Sequence, residues 1–428
     1  MKAVATLFLA GALVAAPSDA RAYSALSHEA NIDALWDTGI RPLLAKRFPR
    51  ATPEELQKAR AYAYGGSVIQ DLGYFPFGSR FFSNLLHYVR TGDFVEAMIR
   101  EASDLPEYAF ALGALAHYAA DNVGHPEAVN RSVALMYPKL RARYGNSVTY
   151  ADAPATHVLV EFSFDVVQVA TARYKSEAYQ SFIGFEVAKP VLERAFLATY
   201  GLEMKDVFLD EDRSIGSYRY AISQMLPEIT RIAWRDKHDE IAKALPGVAE
   251  RQFVYRLTRQ EFEHAYGMKY RKPGIVARFL ALLYKVLPKV GPLSVLQFKA
   301  PTPAAEALFL GSINDTRGRY RAALDAVGAG RINLANTDFD TGKPSVHGEY
   351  ALADDTYAEL LHRLAKRKFA GIPDALRGNI IAFYAAAPNR TASRKERKRA
   401  AEVREDLAAL AATKDTKGTK GTKGEPGF

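Results

Sequence analysis

His117-Tyr-Ala-Ala-Asp121-Asn-Val-Gly-His125 sets three metal-capable side chains at intervals of four residues. On a helix, residues four apart share a face, with Cβ atoms about 5–6 Å apart, so neighbouring pairs can converge on one cation. His157-Val-Leu-Val-Glu161 repeats the histidine–carboxylate pair on a second segment. His117 and His125 are separated by roughly 12 Å of helix rise and can hardly share one ion. Asp121, between them, is placed to bridge neighbouring ions, so the pattern points to a metal cluster. A single such pair is commonly a hydrogen-bonding pair and nothing more. Here the flanks, Phe110–Ala116 and Val158–Val160, are largely apolar, and burying several ionisable groups there is costly unless they are paired or coordinate metal. Five of the nine histidines lie between His28 and His157. With no cysteine in 428 residues, thiolate sites are excluded, and His, Asp, Glu and a chain terminus are the available donors.

The elements that must carry these residues read as helices. Thr52-Pro53-Glu54-Glu55 is a helix start, with an N-cap, a first-position proline and acids in the first turn. Apolar residues recur at helical spacing through Leu105–Asp121, His157–Ala172, Pro190–Tyr200 and Ile215–Leu245. Strand-like alternation is scarce, and the expected fold class is all-α. Leu245-Pro246-Gly247 interrupts the pattern. The expected organisation is therefore a leader over residues 1–22, a helical domain carrying the chemistry over 23–245, a helical extension over 246–388 and a basic tail over 389–428. The extension includes a loop-rich patch near Asn333–His347. In the tail, Arg394–Arg399 opens a charged helix, and three Thr-Lys-Gly triplets follow between Thr416 and Gly424, unable to bury a core.

Lys2, the apolar run Ala3–Ala16 and Ala20-Arg21-Ala22 read as a secretory leader, cleaved near Ala22, and imply a secreted or periplasmic protein. The apolar run is short for a membrane span, and the absence of cysteine mildly favours a bacterial envelope setting. The formal charge of +9 falls to +8 without the leader, and the tail from Thr391 carries +4 of it. The body is thus only mildly basic, which does not identify nucleic acid as a partner. Gly274–Leu287, strongly apolar and flanked by lysine and arginine, reads as a buried helix with cationic ends, an interfacial helix being the alternative. Tyr74-Phe75-Pro76-Phe77 and Phe81-Phe82 read as core, with a cleft wall or lipid contact as the sharper alternative. Glu29 and Tyr88, which follow metal-capable histidines, read as a helix-start acid and a packed aromatic, with orientation of those histidines as the sharper alternative. His238, His264, His347 and His362 show no comparable spacing.

Leu112–Pro126 resembles the signature helix of the zinc-dependent phospholipase C/D family, which is related to the trinuclear-zinc single-strand nucleases. His157-xxx-Glu161 matches that family's second ligand pair. Gly65-Gly-Ser-Val-Ile-Gln-Asp71 matches a segment ending in a ligand aspartate, and His87 follows at a comparable distance. Tyr23-Ser-Ala-Leu-Ser-His28 resembles the mature start of the nucleases, with Tyr23 where a tryptophan is expected. The resemblance spans Tyr23 to Glu161 and implies a multi-helix bundle holding three zinc ions. Asp71, His87, His117 and Asp121 would hold the first, and His125, His157 and Glu161 the second. The Tyr23 amine and carbonyl, His28 and bridging Asp121 would hold the third. The four-residue interval from Asp121 to His125 is shorter than in secreted bacterial phospholipases C and looks like the glycosylphosphatidylinositol-phospholipase D branch.

Clustered zinc suits phosphodiester cleavage, because the cations acidify bound water and neutralise phosphate oxygens. Asp71 and Asp121 are the expected catalytic residues, orienting the attacking hydroxide. The expected activity is an exported zinc-dependent phosphodiester hydrolase of phospholipase C/D type, acting on phospholipid headgroups and possessing a membrane surface as partner; no protein partner is identifiable. A nuclease or nucleotidase on the same scaffold, with nucleic acid as substrate, is one alternative. A non-catalytic envelope protein stabilised by zinc is the other.

Overall fold

A computed structural model describes residues 25–170, 184–222, 299–386 and 394–413. Tyr23, the leader, the boundary near residue 245, the apolar run Gly274–Leu287 and the Thr-Lys-Gly triplets lie outside the described residues. So do His238 and His264. Among the described residues there is no strand, only an isolated antiparallel bridge between Thr337 and Pro344. The all-α expectation holds.

The centre of the fold is a helix buried on nearly every side, Leu105–Gly124. Asp104 caps it by accepting from the Glu107 amide at 2.8 Å, and Pro106 stands in the first turn, where its missing N–H costs nothing. Around it are α1 (Ala25–Leu35), α2 (Arg41–Arg47), α3 (Pro53–Gly66), α4 (Arg80–Tyr88) and α5 (Thr91–Glu101), the central helix being α6. Next come α7 (Asn130–Met136), α8 (Pro138–Tyr144), α9 (Pro154–Ala170), α10 (Lys189–Tyr200) and α11 (Glu211–Tyr220). Beyond residue 299 lie α12 (Pro303–Gly328), α13 (Ala351–Lys366), α14 (Asp374–Ala385) and α15 (Arg394–Ala412). The expected start of α3 is present as a reciprocal capping box between Thr52 and Glu55. The charged helix expected from Arg394 is α15, which packs against α13 and buries Leu410.

Two glycine contacts set the position of α3 on α6. A Cβ on Gly113 would lie 2.1 Å from the Ala63 carbonyl oxygen, and one on Gly66 would lie 2.0 Å from that of Phe110. The two backbones therefore approach more closely than any side chain allows. This contact brings the chain leaving α3 beside the lower half of α6: Gln70 donates to the Ala114 carbonyl at 3.0 Å. Gly113→Ala is expected to destabilise the fold by roughly 2–3 kcal/mol in denaturant titration. Gly318→Ala, on α12 with open space around it, should be neutral or stabilising by up to about 1 kcal/mol. Equal stabilities for the two variants would show that this close approach is not required.

Chain beyond residue 299 packs directly on the same core. Tyr320 on α12 donates to the Leu112 carbonyl of α6 at 2.9 Å, and Phe309 stacks on Phe164 of α9 with centroids 4.5 Å apart. Tyr74, Phe81 and Phe82 are buried, as their core reading expects, while Phe77 is partly exposed under the Arg213 guanidinium.

Candidate metal centre

Six elements deliver the donors to one buried place. His28 comes from α1 and Asp71 from a 3-10 turn, Ile69–Tyr74. His87 comes from the last turn of α4. His117 and Asp121 lie on α6, His125 begins a π-helical turn (His125–Val129), and His157 and Glu161 lie on α9. All eight are buried, none more than 3 % exposed.

Asp121 is the shared member. Its Oδ2 lies 3.0 Å from His117 Nε2 and 3.4 Å from His87 Nε2. Its Oδ1 lies 3.5 Å from His28 Nε2 and 3.7 Å from His125 Nε2. Asp71 Oδ1 lies 3.3 Å from His87 Nε2. Glu161 Oε1 lies 2.7 Å from His157 Nδ1 and 3.8 Å from His125 Nε2. Three sets have donor atoms within 4.8 Å of one another: His28, His117 and Asp121; Asp71, His87 and His117; His125, His157 and Glu161. The wide separation along α6 is thus resolved as the spacing anticipates, with one aspartate oxygen turned toward each end. His117 also belongs with His28, on which it stacks at 4.2 Å. That proximity was not legible from spacing, because His28 arrives from a separate helix.

The outer ring nitrogens are already engaged. His117 Nδ1 lies 2.9 Å from the Ser67 carbonyl and His87 Nδ1 lies 2.7 Å from that of Ser83. A carbonyl only accepts, so both Nδ1 atoms carry the proton and the Nε2 lone pairs face inward. His125 directs Nδ1 to Asp340 Oδ1 at 3.0 Å, and His157 directs Nε2 to Asn130 Oδ1 at 2.8 Å. Both oxygens of Asp71 and Asp121, Nε2 of His117 and His125, and Nδ1 of His157 are buried without a hydrogen bond among the described residues. Burying such groups unsatisfied is expensive, and a divalent cation in their midst satisfies them together. Imidazole and carboxylate donors in sets of three suit zinc.

The electrostatics agree. Burial holds the His28 imidazole well below its usual range, with His117 adding to the effect. Burial pushes Asp71 up, against the pull of His117 and His87. Burial also opposes ionisation of Asp121, but His117 and His125 outweigh it and hold that carboxyl well below its usual range. Against burial, the Asp121 and Asp71 carboxylates raise His87 to about 10. Likewise Asp121, Asp340 and Glu161 raise His125 to about 9. A cation at these nitrogens must displace a proton, so its binding strengthens as the pH rises.

Sequence reasoning missed Asp340 and Asn130. Asp340 lies in the loop-rich patch recognised beyond residue 246, but no local spacing ties it to His125. Tyr88, noted beside His87, donates to Asp340 Oδ2 at 2.9 Å rather than to a histidine. Glu29 is buried. His347 packs on Phe383 and Tyr384, and His362 on Asp406, away from the centre.

Residues 32–210 match a family model described as zinc dependent phospholipase C. The matched segment contains every donor named above except His28, and it excludes Asp340. No curated protein matches the chain, and no solved structure does. The resemblance carried by the α6 signature therefore extends over the whole of that segment.

Proposed function

We propose that the protein is an exported phosphodiester hydrolase that uses a zinc cluster to cleave phospholipid headgroups, in the manner of a phospholipase C. The observation that supports it is the position of Asp121, whose carboxylate lies within 3.7 Å of a histidine from each of three buried donor sets, in a segment matching the zinc dependent phospholipase C family. His28, Asp71, His87, His117, Asp121, His125, His157 and Glu161 would hold the ions, with Tyr23 completing the set at a processed amino terminus.

A bound divalent cation acidifies water and neutralises phosphate oxygens. The chain's residues supply orientation and proton handling. Asp121 remains ionised between four imidazoles and aligns their ring nitrogens. Asp71 turns Oδ1 to His87, and burial favours a proton on its carboxyl. Once ionised, its Oδ2 is the candidate acceptor for the proton that water loses as its oxygen attacks phosphorus, and the same carboxyl returns that proton to the glycerol oxygen as the bond from phosphorus to that oxygen breaks. Phe339 packs its ring 5.2 Å from that of His87 and excludes water from that side. Export rests on the leader. Among the described residues no helix is long and apolar enough to cross a membrane.

The test is elemental analysis of the mature protein, combined with release assays on phosphatidylcholine, phosphatidylinositol and single-stranded nucleic acid. Zinc-dependent release of diacylglycerol is expected. Release of phosphatidic acid would transfer the reading to D-type cleavage, and nucleotide release alone would replace the lipid substrate. A fully zinc-loaded protein inert on all three would overturn it.

A further inference from the structure

The His125–His157–Glu161 set is braced by chain that lies far outside the family-matched segment. Asp340 stands in a tight turn between α12 and α13, closed by Asp338 donating its amide to the Lys343 carbonyl at 2.8 Å and Gly342 donating to that of Asp338 at 2.9 Å. Phe339 donates its amide to the His87 carbonyl at 3.0 Å, and Ser345 donates to the Tyr88 carbonyl at 2.8 Å. Thr337 donates to Asn122 Oδ1 of α6 at 2.6 Å. The turn is thus tied to α4 and α6, two of the helices that carry ligand histidines.

Within it Asp340 makes several directed connections. Its Oδ2 accepts from the hydroxyls of Tyr88, at 2.9 Å, and Tyr350. That leaves Oδ1 aimed at His125 Nδ1, 3.0 Å away. Its backbone carbonyl accepts from Asn130 Nδ2 at 2.6 Å, and Asn130 Oδ1 faces His157 Nε2 at 2.8 Å. One residue therefore fixes the outer nitrogen of His125 directly and that of His157 through an amide. The opposite nitrogens, His125 Nε2 and His157 Nδ1, are the ones that face Glu161. A carboxylate accepting from the outer N–H of a ligand imidazole sets its tautomer and orientation and raises its donor strength.

We propose that Asp340 is a positioning residue for this set, holding His125 and, through Asn130, His157 in the orientation in which they bind a divalent cation with Glu161. The inference rests on the metal-centre reading. Completion of the site then depends on chain about 130 residues beyond the end of the family match.

The test is zinc titration against a competing chelator, with elemental analysis and thermal melting, on the full chain and on Asp340→Ala, Asp340→Asn and Tyr350→Phe. Asp340→Ala should weaken one zinc equivalent by about 10–100-fold and leave the others at wild-type affinity. Asp340→Asn keeps an acceptor without the charge and should fall between, with Tyr350→Phe closer to wild type. Asp340→Ala or Asp340→Asn binding every equivalent at wild-type affinity would overturn the proposal. So would an equal weakening of all equivalents, which marks a general loss of structure. If Asp340→Ala does not fold, Asp340→Asn decides by the same criterion. A wild-type chain that binds no zinc would instead reject the metal centre itself.

Discussion

Asp121→Ala is expected to lower kcat/KM for zinc-dependent phosphodiester hydrolysis by about 10³-fold or more, the largest loss of any single substitution in the centre. The reason is geometric. Oδ1 faces His28 and His125 and Oδ2 faces His117 and His87, so one carboxylate meets imidazoles delivered by separate elements. Removing it withdraws a ligand from adjacent ions and leaves several buried imidazoles without their shared anion. Metal catalysis commonly supplies several kcal/mol of transition-state stabilisation, and each 1.36 kcal/mol is about tenfold in rate. Glu161→Ala, which removes the carboxylate facing His125 and His157, should remove one zinc equivalent and spare the rest. Hydrolysis rates measured beside elemental analysis separate the two variants. Near-normal turnover by zinc-loaded Asp121→Ala would defeat both the bridging role and its catalytic importance.

Removal of zinc is expected to cost the folded state heavily, lowering Tm by about 10 °C or more in calorimetry. Without cations, three carboxylates and five imidazoles share a site almost closed to water. A ligand present at about a thousand times its dissociation constant stabilises the folded state by roughly 4 kcal/mol per site. In a domain of this size each kcal/mol moves Tm by about 2–4 °C. Zinc should restore the melt, whereas magnesium, which prefers six oxygen ligands, should not. Restoration should weaken as pH falls, because His87 and His125 then hold their protons more firmly against the metal. Identical melts with and without chelator would show that the buried charges are satisfied without metal.

The Gly66 and Gly113 contacts link these two expectations to the fold. They hold α3 against α6 closely enough for Ser67 to accept from His117 and for Asp71 to reach His87. The sequence shows glycines at those positions, but not that each faces a backbone carbonyl of the other helix. The helices themselves were readable because their signals are local: the Thr52 cap, the apolar period through α6 and α9, and the charged start of α15. The four-residue spacing of His117, Asp121 and His125 was readable for the same reason, since helical geometry alone places them on one face. That an aspartate at the middle position could bridge followed from the same geometry.

What spacing could not reach was any partner brought by a different element. His28 stacks on His117 only because α1 and α12 both lean on α6. Asp340 meets His125 across more than two hundred residues of chain. An isolated aspartate in a loop has no periodicity to mark it, and its hydrogen bonds exist only after α12 has carried the chain back across the core. Local residue types and their repeat thus determined which side chains were able to bind metal. Tertiary packing decided which of them share an ion and which distant carboxylate holds a ligand still, because a coordination site is a convergence in space of groups that the chain keeps apart.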